Sequence, residues 1–207
     1  MKRIVSILLC IVLMLGTLSL FGCGKVEAAY VEIDVENYGK ITVYVDPTYA
    51  PITVKNFLSL VDDGFYDGLT FHRIIDGFMI QGGDPKGDGT GDSGTEIKGE
   101  FSANGVTNPR RHKRGVISMA RGGHSMDSAS CQFFIVHEDS PHLDGDYAAF
   151  GYVVDEKSME VVDAIVQYIV DNPQYLKDSN GGVIAAYQPK ITSIRRVEYV
   201  NAELMPG

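Results

Sequence analysis

The sequence contains few basic residues. Its 207 residues include 18 Lys and Arg against 27 Asp and Glu, which gives a formal net charge of -9. Because nucleic-acid binding depends on contacts between cations and phosphates, this deficit argues against nucleic acid as a partner. One basic run, RRHKR at residues 110–114, departs from the trend. The run is typical of a solvated surface loop, and a docking patch for an anionic polymer or lipid is the alternative.

The sequence also lacks the residue spacings of disulfide frameworks and metal sites. It has three cysteines, and loss of an N-terminal signal over residues 1–22 would leave only Cys23 and Cys131. None of the five histidines lies two to four residues from a cysteine, so we expect no metal site. Cys131 stands in the apolar run CQFFIV, where a free cysteine is typically a small packing residue.

The N-terminal segment has the pattern of an export signal. Lys2 and Arg3 precede an uncharged apolar run over residues 4–21, and Gly22 and Cys23 follow it. The segment is similar to bacterial lipoprotein signals, in which the cysteine thiol takes a diacylglyceryl group after residues 1–22 are removed. Residues 23–29 would then tether the protein to the extracytoplasmic side of the cell membrane. Ordinary signal cleavage with secretion and retention as a membrane anchor are the alternatives.

Alternation of apolar and polar residues predicts eight strands. Residues 30–45 alternate on both sides of Asn37, Tyr38 and Gly39, which indicates a hairpin. Further strand-like runs cover residues 70–75, 78–81, 115–119, 132–137, 147–154 and 189–199. Many short strands with glycine-rich connections predict a barrel or a sandwich.

Two segments have the spacing of amphipathic helices. Residues 51–63 place four apolar side chains on one face and are followed by Gly64, and residues 156–168 show a similar face. Residues 171–188 contain Asn-Pro and Asn-Gly-Gly and predict a long surface connection. At this length, one domain with one core is expected, over residues 30–200, with residues 201–207 as a C-terminal tail.

The stretch FHRIIDGFMIQGGD, residues 71–84, holds one arginine within strongly apolar surroundings. The five donors of Arg73 need water, a carboxylate or a substrate group. A surface arginine paired with Asp76 or Asp84 is the alternative to an arginine that binds substrate. The loop at residues 87–94 contains G-x-G-x-x-G and G-D-S-G, but no helical pattern follows to support a dinucleotide site, and no protease triad accompanies it.

Five motifs occur in a characteristic order: FHRII-x-GFM-x-QGGD, GVISMA (115–120), QFFI (132–135), LDG (143–145) and FG (150–151). In order and separation they resemble the motifs of cyclophilin-type peptidyl-prolyl cis-trans isomerases, over residues 30–199. With its N-terminal segment, the chain is identified as a bacterial exported or lipoprotein form. The resemblance implies a mainly β fold, a closed eight-stranded antiparallel barrel capped by two α-helices.

The resemblance also places an active groove on the outer face of the barrel. It implies that Arg73 and Gln81 are catalytic. It implies a second set of residues that bind the substrate: Phe78, Met79, Ala120, Arg121, Gln132, Phe134, His142, Leu143 and Tyr147. His142 and Tyr147 stand where many members have tryptophan and histidine, and Cys131 stands where serine usually precedes QFF.

Rotation about an X-Pro bond is slow because it breaks amide resonance, with a barrier of about 18–20 kcal/mol. The twisted amide regains a lone pair on the proline nitrogen, so a donor aimed there binds the transition state more tightly than the planar ground state. Arg73 is the candidate donor. Alternation along the strands directs Phe71, Phe133 and Phe150 to the core rather than to the groove.

We therefore expect a peptidyl-prolyl isomerase that acts on proline-containing segments of exported polypeptides and assists their folding. It should need no cofactor and should be a monomer. The alternative is a non-catalytic proline-peptide binding module, or chaperone, that uses the same groove. Arg73 favours catalysis.

Overall fold

A computed structural model describes residues 25–199 of the chain. The expected signal segment over residues 1–22, the lipidation site at Cys23 and the tail over residues 201–207 lie outside the described residues. Within the described range, no helix is both long enough and apolar enough to span a membrane.

The predicted strands and helices are present. The strands are β1 (Ala29–Val35), β2 (Gly39–Val45), β3 (Phe71–Ile75), β4 (Met79–Gly82), β5 (Val116–Arg121), β6 (Ala129–Val136), β7 (Ala148–Val153) and β8 (Ile191–Val197). The helices are α1 (Pro51–Asp62) and α2 (Glu156–Asp171). Helix α2 is longer than the expected 156–168 because its apolar face continues to buried Ile169, whose carbonyl accepts from the amide of Asn172.

The eight strands form one antiparallel sheet in the order β3-β4-β6-β5-β7-β2-β1-β8. The prediction of a closed barrel is wrong, since the sheet is open and forms a half-barrel. Edge strands β3 and β8 share no ladder, and their nearest pairing is an isolated bridge between Thr70 and Lys190. The connection from α2 occupies the edge of β3 instead, because Ile74 donates to Gly181 and Val183 donates to His72.

The main core lies on one face of the half-barrel, and residues of α1 and α2 contribute to it. The aromatic side chains of Phe71, Phe133 and Phe150 are fully buried there, which confirms the expectation from strand alternation. Cys131 is also buried in this core, and burial raises the pKa of its thiol to about 11. The thiol is therefore held in its neutral form, as suits a packing residue.

A second apolar cluster lies on the opposite face of the same strands. It is built from Met79, Phe134, Val136 and Leu143, with partly buried neighbours that include Phe78 and Tyr147. Successive residues of a strand point to opposite faces, so β4 and β6 each supply one side chain to the core and the next to this cluster. The cluster forms the apolar floor of the groove described below.

The basic run at residues 110–114 is not simply a solvated loop. Its cations pair with carboxylates of neighbouring elements, as Arg110 does with Asp46 and Arg114 with Asp163. His112, at the centre of the run, is only 1% exposed. These ion pairs therefore attach the loop to neighbouring elements, and the side chain of His112 points into the protein.

Candidate active site

A tight turn aligns the two residues expected to act in catalysis. Gly77 connects β3 to β4 with φ 69°, a conformation that glycine adopts without steric cost. The resulting ladder pairs Arg73 with Gln81 directly across the two strands. Residues paired in this way project to the same side of a sheet, so both side chains reach the outer groove.

These two residues open onto a pocket of about 130 Å³. The floor is apolar and is formed by Met79, Phe134 and Leu143, each at most 7% exposed. Nine of the predicted site residues line the pocket: Arg73, Phe78, Met79, Gln81, Ala120, Arg121, Phe134, Leu143 and Tyr147. An apolar pocket with a few polar groups at its edge can hold a small ring and direct donors toward it.

Arg73 is held by neutral oxygens and aromatic contacts. Its Nε donates to the backbone carbonyl of Asn180 at 2.8 Å, and Nη1 donates to Oε1 of Gln81 at 3.3 Å. The guanidinium carbon lies 5.8 Å from the centre of the Phe78 ring. Arg73 pairs with neither Asp76 nor Asp84, so the alternative of a carboxylate-paired surface arginine is wrong. Burial lowers the pKa of Arg73, while Tyr147 and Asp178 oppose that shift.

A chain of amide groups continues from Gln81 along the groove. Nε2 of Gln81 donates to Oε1 of Gln132 at 2.9 Å, and Nε2 of Gln132 donates to the carbonyl of Gly91 at 2.8 Å. Gln132 is therefore connected to Arg73 by way of its hydrogen bond with Gln81. The chain fixes the orientation of the Gln81 amide, whose oxygen then faces Arg73.

The glycine-rich loop that receives Gln132 is organised by a buried carboxylate. Asp84 is 1% exposed and accepts hydrogen bonds from the amides of Lys86, Asp88 and Gly89. Within residues 25–199, no group of three or more His, Cys, Asp or Glu side chains is arranged to hold a metal ion. Asp84 thus shapes the loop that forms one wall of the groove.

The remaining predicted residues form the rim. The ring of His142 lies 5.2 Å from that of Phe78, at the exposed end of the pocket. Arg121 lies over the Tyr147 ring at 5.0 Å and donates through Nε to the carbonyl of Asp146. All eleven predicted residues therefore converge on one groove, and its rim is more polar and aromatic than its floor.

Sequence reasoning missed His112, which supports the pocket from beneath. Its ring stacks on Phe134 with 6.0 Å between centres and meets the Tyr147 ring edge-on at 6.5 Å. Its two nitrogens lie 3.1 Å from Asp144 Oδ1 and 3.0 Å from Ser118 Oγ. Burial lowers the pKa of His112, against the effect of Asp144, so the neutral ring is favoured. Its place in a basic run concealed this role.

The fold and groove define a half-barrel protein that presents an anchored guanidinium beside a ring-sized apolar pocket. A family model described as cyclophilin type peptidyl-prolyl cis-trans isomerase/CLD matches residues 30–186. The chain belongs to this family, and it is an enzyme, a peptidyl-prolyl cis-trans isomerase.

Individual relatives agree with this assignment. The chain is 44% identical over 141 residues to a peptidyl-prolyl cis-trans isomerase of Helicobacter pylori, covering 68% of this chain and 82% of the relative. It is 50% identical over 119 residues to peptidyl-prolyl cis-trans isomerase B of Bacillus subtilis, covering 58% and 79%. A crystal structure of a Cryptosporidium parvum cyclophilin-type isomerase, obtained in the presence of the dipeptide Ala-Pro, superposes with TM-score 0.67 and 29% identity, covering 82% and 99%.

Proposed function

We propose that Arg73 catalyses rotation of an X-Pro bond by donating a hydrogen bond to the proline nitrogen as the amide twists. The apolar pocket of Phe78, Met79, Phe134 and Leu143 would hold the pyrrolidine ring. Gln81 would position the guanidinium and hold the peptide on one side of the bond. With one side held, the other side can rotate without any bond being broken.

The anchoring of Arg73 is the observation that carries this proposal. Its Nε and one hydrogen of Nη1 are engaged by Asn180 and Gln81, which leaves Nη2 without a partner among the described residues. The side chain is half-buried, so its free donors are partly shielded from water before substrate binds. A donor fixed in advance stabilises a developing lone pair without reorganisation at the transition state.

We further propose that the enzyme acts on proline-containing segments of exported polypeptides, from a lipid anchor on Cys23. The export-like pattern of residues 1–22 and the cysteine at its end support this location. The acidic balance of the chain does not favour binding to anionic lipid, so attachment would depend on the acyl chains.

Cell fractionation tests the location. Wild-type protein should sediment with membranes and take up labelled fatty acid, whereas Cys23→Ser protein should do neither, because Cys23 is the one thiol that directly follows the apolar run. Cys131→Ser is the matched control and should keep the label. Labelled fatty acid in the Cys23→Ser protein would disprove the anchor while leaving the isomerase mechanism unaffected.

A further inference from the structure

A second, larger cleft adjoins the proline pocket. We call it the flanking cleft; it has a volume of about 640 Å³ and shares Arg73 and Gln81 with the pocket. The cleft is lined by strands β3 and β4, by the 86–89 loop and by the connection from α2, and its polar side chains include His72, Lys86, Asp88, Lys177, Asp178 and Gln188. A polypeptide bound in the proline pocket can therefore continue into this cleft.

The walls of the flanking cleft are tied together by hydrogen bonds. Nε2 of Gln188 donates to the carbonyls of Gly87 and Val183, at 2.8 and 2.9 Å, and so links the two loops. The amide of Val183 donates to the carbonyl of His72, which joins the connection to β3. The cleft is thus part of the folded structure, because residues of three separate segments are bonded to one another around it.

His72 lines the cleft with unused hydrogen-bonding capacity. It is 4% exposed, and neither ring nitrogen has a hydrogen-bond partner among the described residues. Nε2 faces the Gly89 wall, since a Cβ added to Gly89 would lie 3.9 Å from it. Burial lowers the pKa of His72, so the ring carries one donor and one acceptor. Buried polar groups are normally paired, and an unpaired one indicates a ligand or water.

Two lysines of the cleft form no ion pair within the described part of the chain, whereas its two carboxylates accept hydrogen bonds from neighbouring groups. Neither Lys86 nor Lys177 forms an ion pair with another described residue. The pKa of Asp88 is lowered mainly by its hydrogen bonds with Thr90, and the two lysines lower it further. Asp88 accepts from the amide and hydroxyl of Thr90. The other carboxylate, Asp178, accepts from the amides of Asn180 and Gly182.

We propose that the flanking cleft binds an acidic side chain of the substrate polypeptide, a few residues from the proline. Lys86 and Lys177 would attract the carboxylate, with His72 as a neutral hydrogen-bond donor at the back. The inference rests on the proposed function, because Arg73 and Gln81 place the cleft beside the isomerising bond. It identifies the substrate class as proline segments that carry a nearby Asp or Glu, selected by two lysines without ion-pair partners among the described residues, in a chain of net charge -9.

The test compares kcat/KM for paired peptides by NMR exchange spectroscopy. Each peptide carries one Ala-Pro bond, with Glu or Gln placed two or three residues before or after the proline. At one of these positions, we expect kcat/KM for the Glu peptide to be about threefold to tenfold higher than for its Gln partner. This is the range expected from one or two partly exposed ion pairs. The ratio should shrink toward one at high salt, which screens such pairs.

Variants then locate the preference. Lys86→Gln combined with Lys177→Gln should bring the Glu-to-Gln ratio close to one. Lys55→Gln, which removes the same charge from α1, is the matched control and should keep the ratio. His72→Phe, which keeps a ring but removes both nitrogens, should lower the ratio mainly through KM.

Equal turnover of every Glu and Gln pair by the wild-type protein would refute the cleft inference and leave the isomerase mechanism standing. A Glu preference that persists in the double lysine variant would also refute it. Absence of turnover on both peptides would instead overturn the proposed function, and the inference with it.

Discussion

Arg73 and Gln81 face each other across the β3-β4 ladder, with Nη1 of the arginine 3.3 Å from Oε1 of the glutamine. The opposite side of the guanidinium is fixed by the carbonyl of Asn180. The arginine is therefore held from two elements that are far apart in sequence. This arrangement makes the guanidinium a positioned donor before any substrate enters the groove.

Arg73→Ala should separate catalysis from binding. Loss of one positioned donor typically costs about 2.7–4 kcal/mol, or a hundredfold to a thousandfold in rate. The apolar pocket stays in place, so peptide affinity should change much less. Turnover on a proline peptide and groove binding by NMR titration measure the two quantities, with the melting temperature as a check of folding.

Arg73→Lys is the matched control for charge. It should recover little activity, because a single ammonium cannot make the two anchoring contacts and still present a donor to the substrate. Full turnover in folded Arg73→Ala protein would refute the mechanism. Equal losses of rate and binding would show that Arg73 holds the substrate rather than its transition state.

Gly181→Ala should damage the Arg73 clamp from a distance. Gly181 has φ +82°, and an added Cβ would clash with Cγ1 of Ile75 and lie 2.7 Å from the carbonyl oxygen of Ile74. The strain and the clash should together cost about 2–4 kcal/mol of stability and displace the Asn180 carbonyl. We expect a lower melting temperature and reduced turnover.

Gly94→Ala is the control for Gly181→Ala. Gly94 has the same φ of +82°, but an added Cβ meets no atom within 4 Å. Only the cost of the left-handed conformation, about 1–2 kcal/mol, applies there. If the two variants lose stability and activity equally, contact between the connection and β3 does not position Arg73.

Strand periodicity and motif order predicted much of this structure from the sequence. The resemblance placed Phe134 in the groove, and alternation then assigned its neighbour Phe133 to the core, because a strand exposes its two faces in turn. The motifs named the eleven residues that meet in the groove. Their catalytic and binding roles remain predictions, for which the variants above are the test.

Long-range pairings were beyond what the sequence could predict. The open sheet depends on residues 181–183 pairing with the edge of β3, and local periodicity carries no information about that choice of partner. The burial of His112 likewise depends on Asp144 and Ser118, which are brought to it by other elements. The basic pattern of residues 110–114 predicted an exposed loop, and it gave no sign that His112 would be buried.

Acidification should destabilise the protein as its buried histidines begin to bind protons. Burial lowers the folded-state pKa of His112 and of His72 below the ordinary value of about 6.5. As pH falls, the histidines of the unfolded chain therefore bind protons before those of the folded chain. The stabilisation that is present above about pH 6.5 is lost as the pH falls from there to the folded-state pKa. Urea unfolding at pH 7 and pH 5 should show lower stability at pH 5.

His112→Gln isolates one part of this effect. Glutamine cannot be protonated, so the variant should lose less stability between pH 7 and pH 5, although it starts from a lower value because the ring contact with Phe134 is gone. His124→Gln removes an exposed imidazole and serves as the matched control for the substitution itself. Identical pH profiles for wild type and His112→Gln would exclude His112 as a source of the effect.

Glu100 stabilises the start of α1 from outside the helix. The residue before the helix, Ala50, offers no side-chain cap, and Pro51 has no amide hydrogen to satisfy. Oε1 of Glu100 accepts from the amide of Ile52 at 3.0 Å, and Oε2 accepts from the amide and hydroxyl of Thr53 at 2.7 Å each. A carboxylate at this end also interacts favourably with the partial positive charge at the N-terminus of the helix.

Glu100→Ala should therefore be among the more damaging substitutions outside the groove. Glu100 is 3% exposed, and its removal leaves buried donors of Thr53 without an acceptor, which should cost about 2–4 kcal/mol in the free energy of unfolding. Glu100→Gln keeps one acceptor oxygen and should lose less. Glu96→Ala removes an exposed carboxylate from the same segment and should stay within about 0.5 kcal/mol of wild type. If urea unfolding gives Glu100→Ala the same stability as Glu96→Ala, the carboxylate does not cap α1, and the first turn of the helix must be held by its apolar contacts alone.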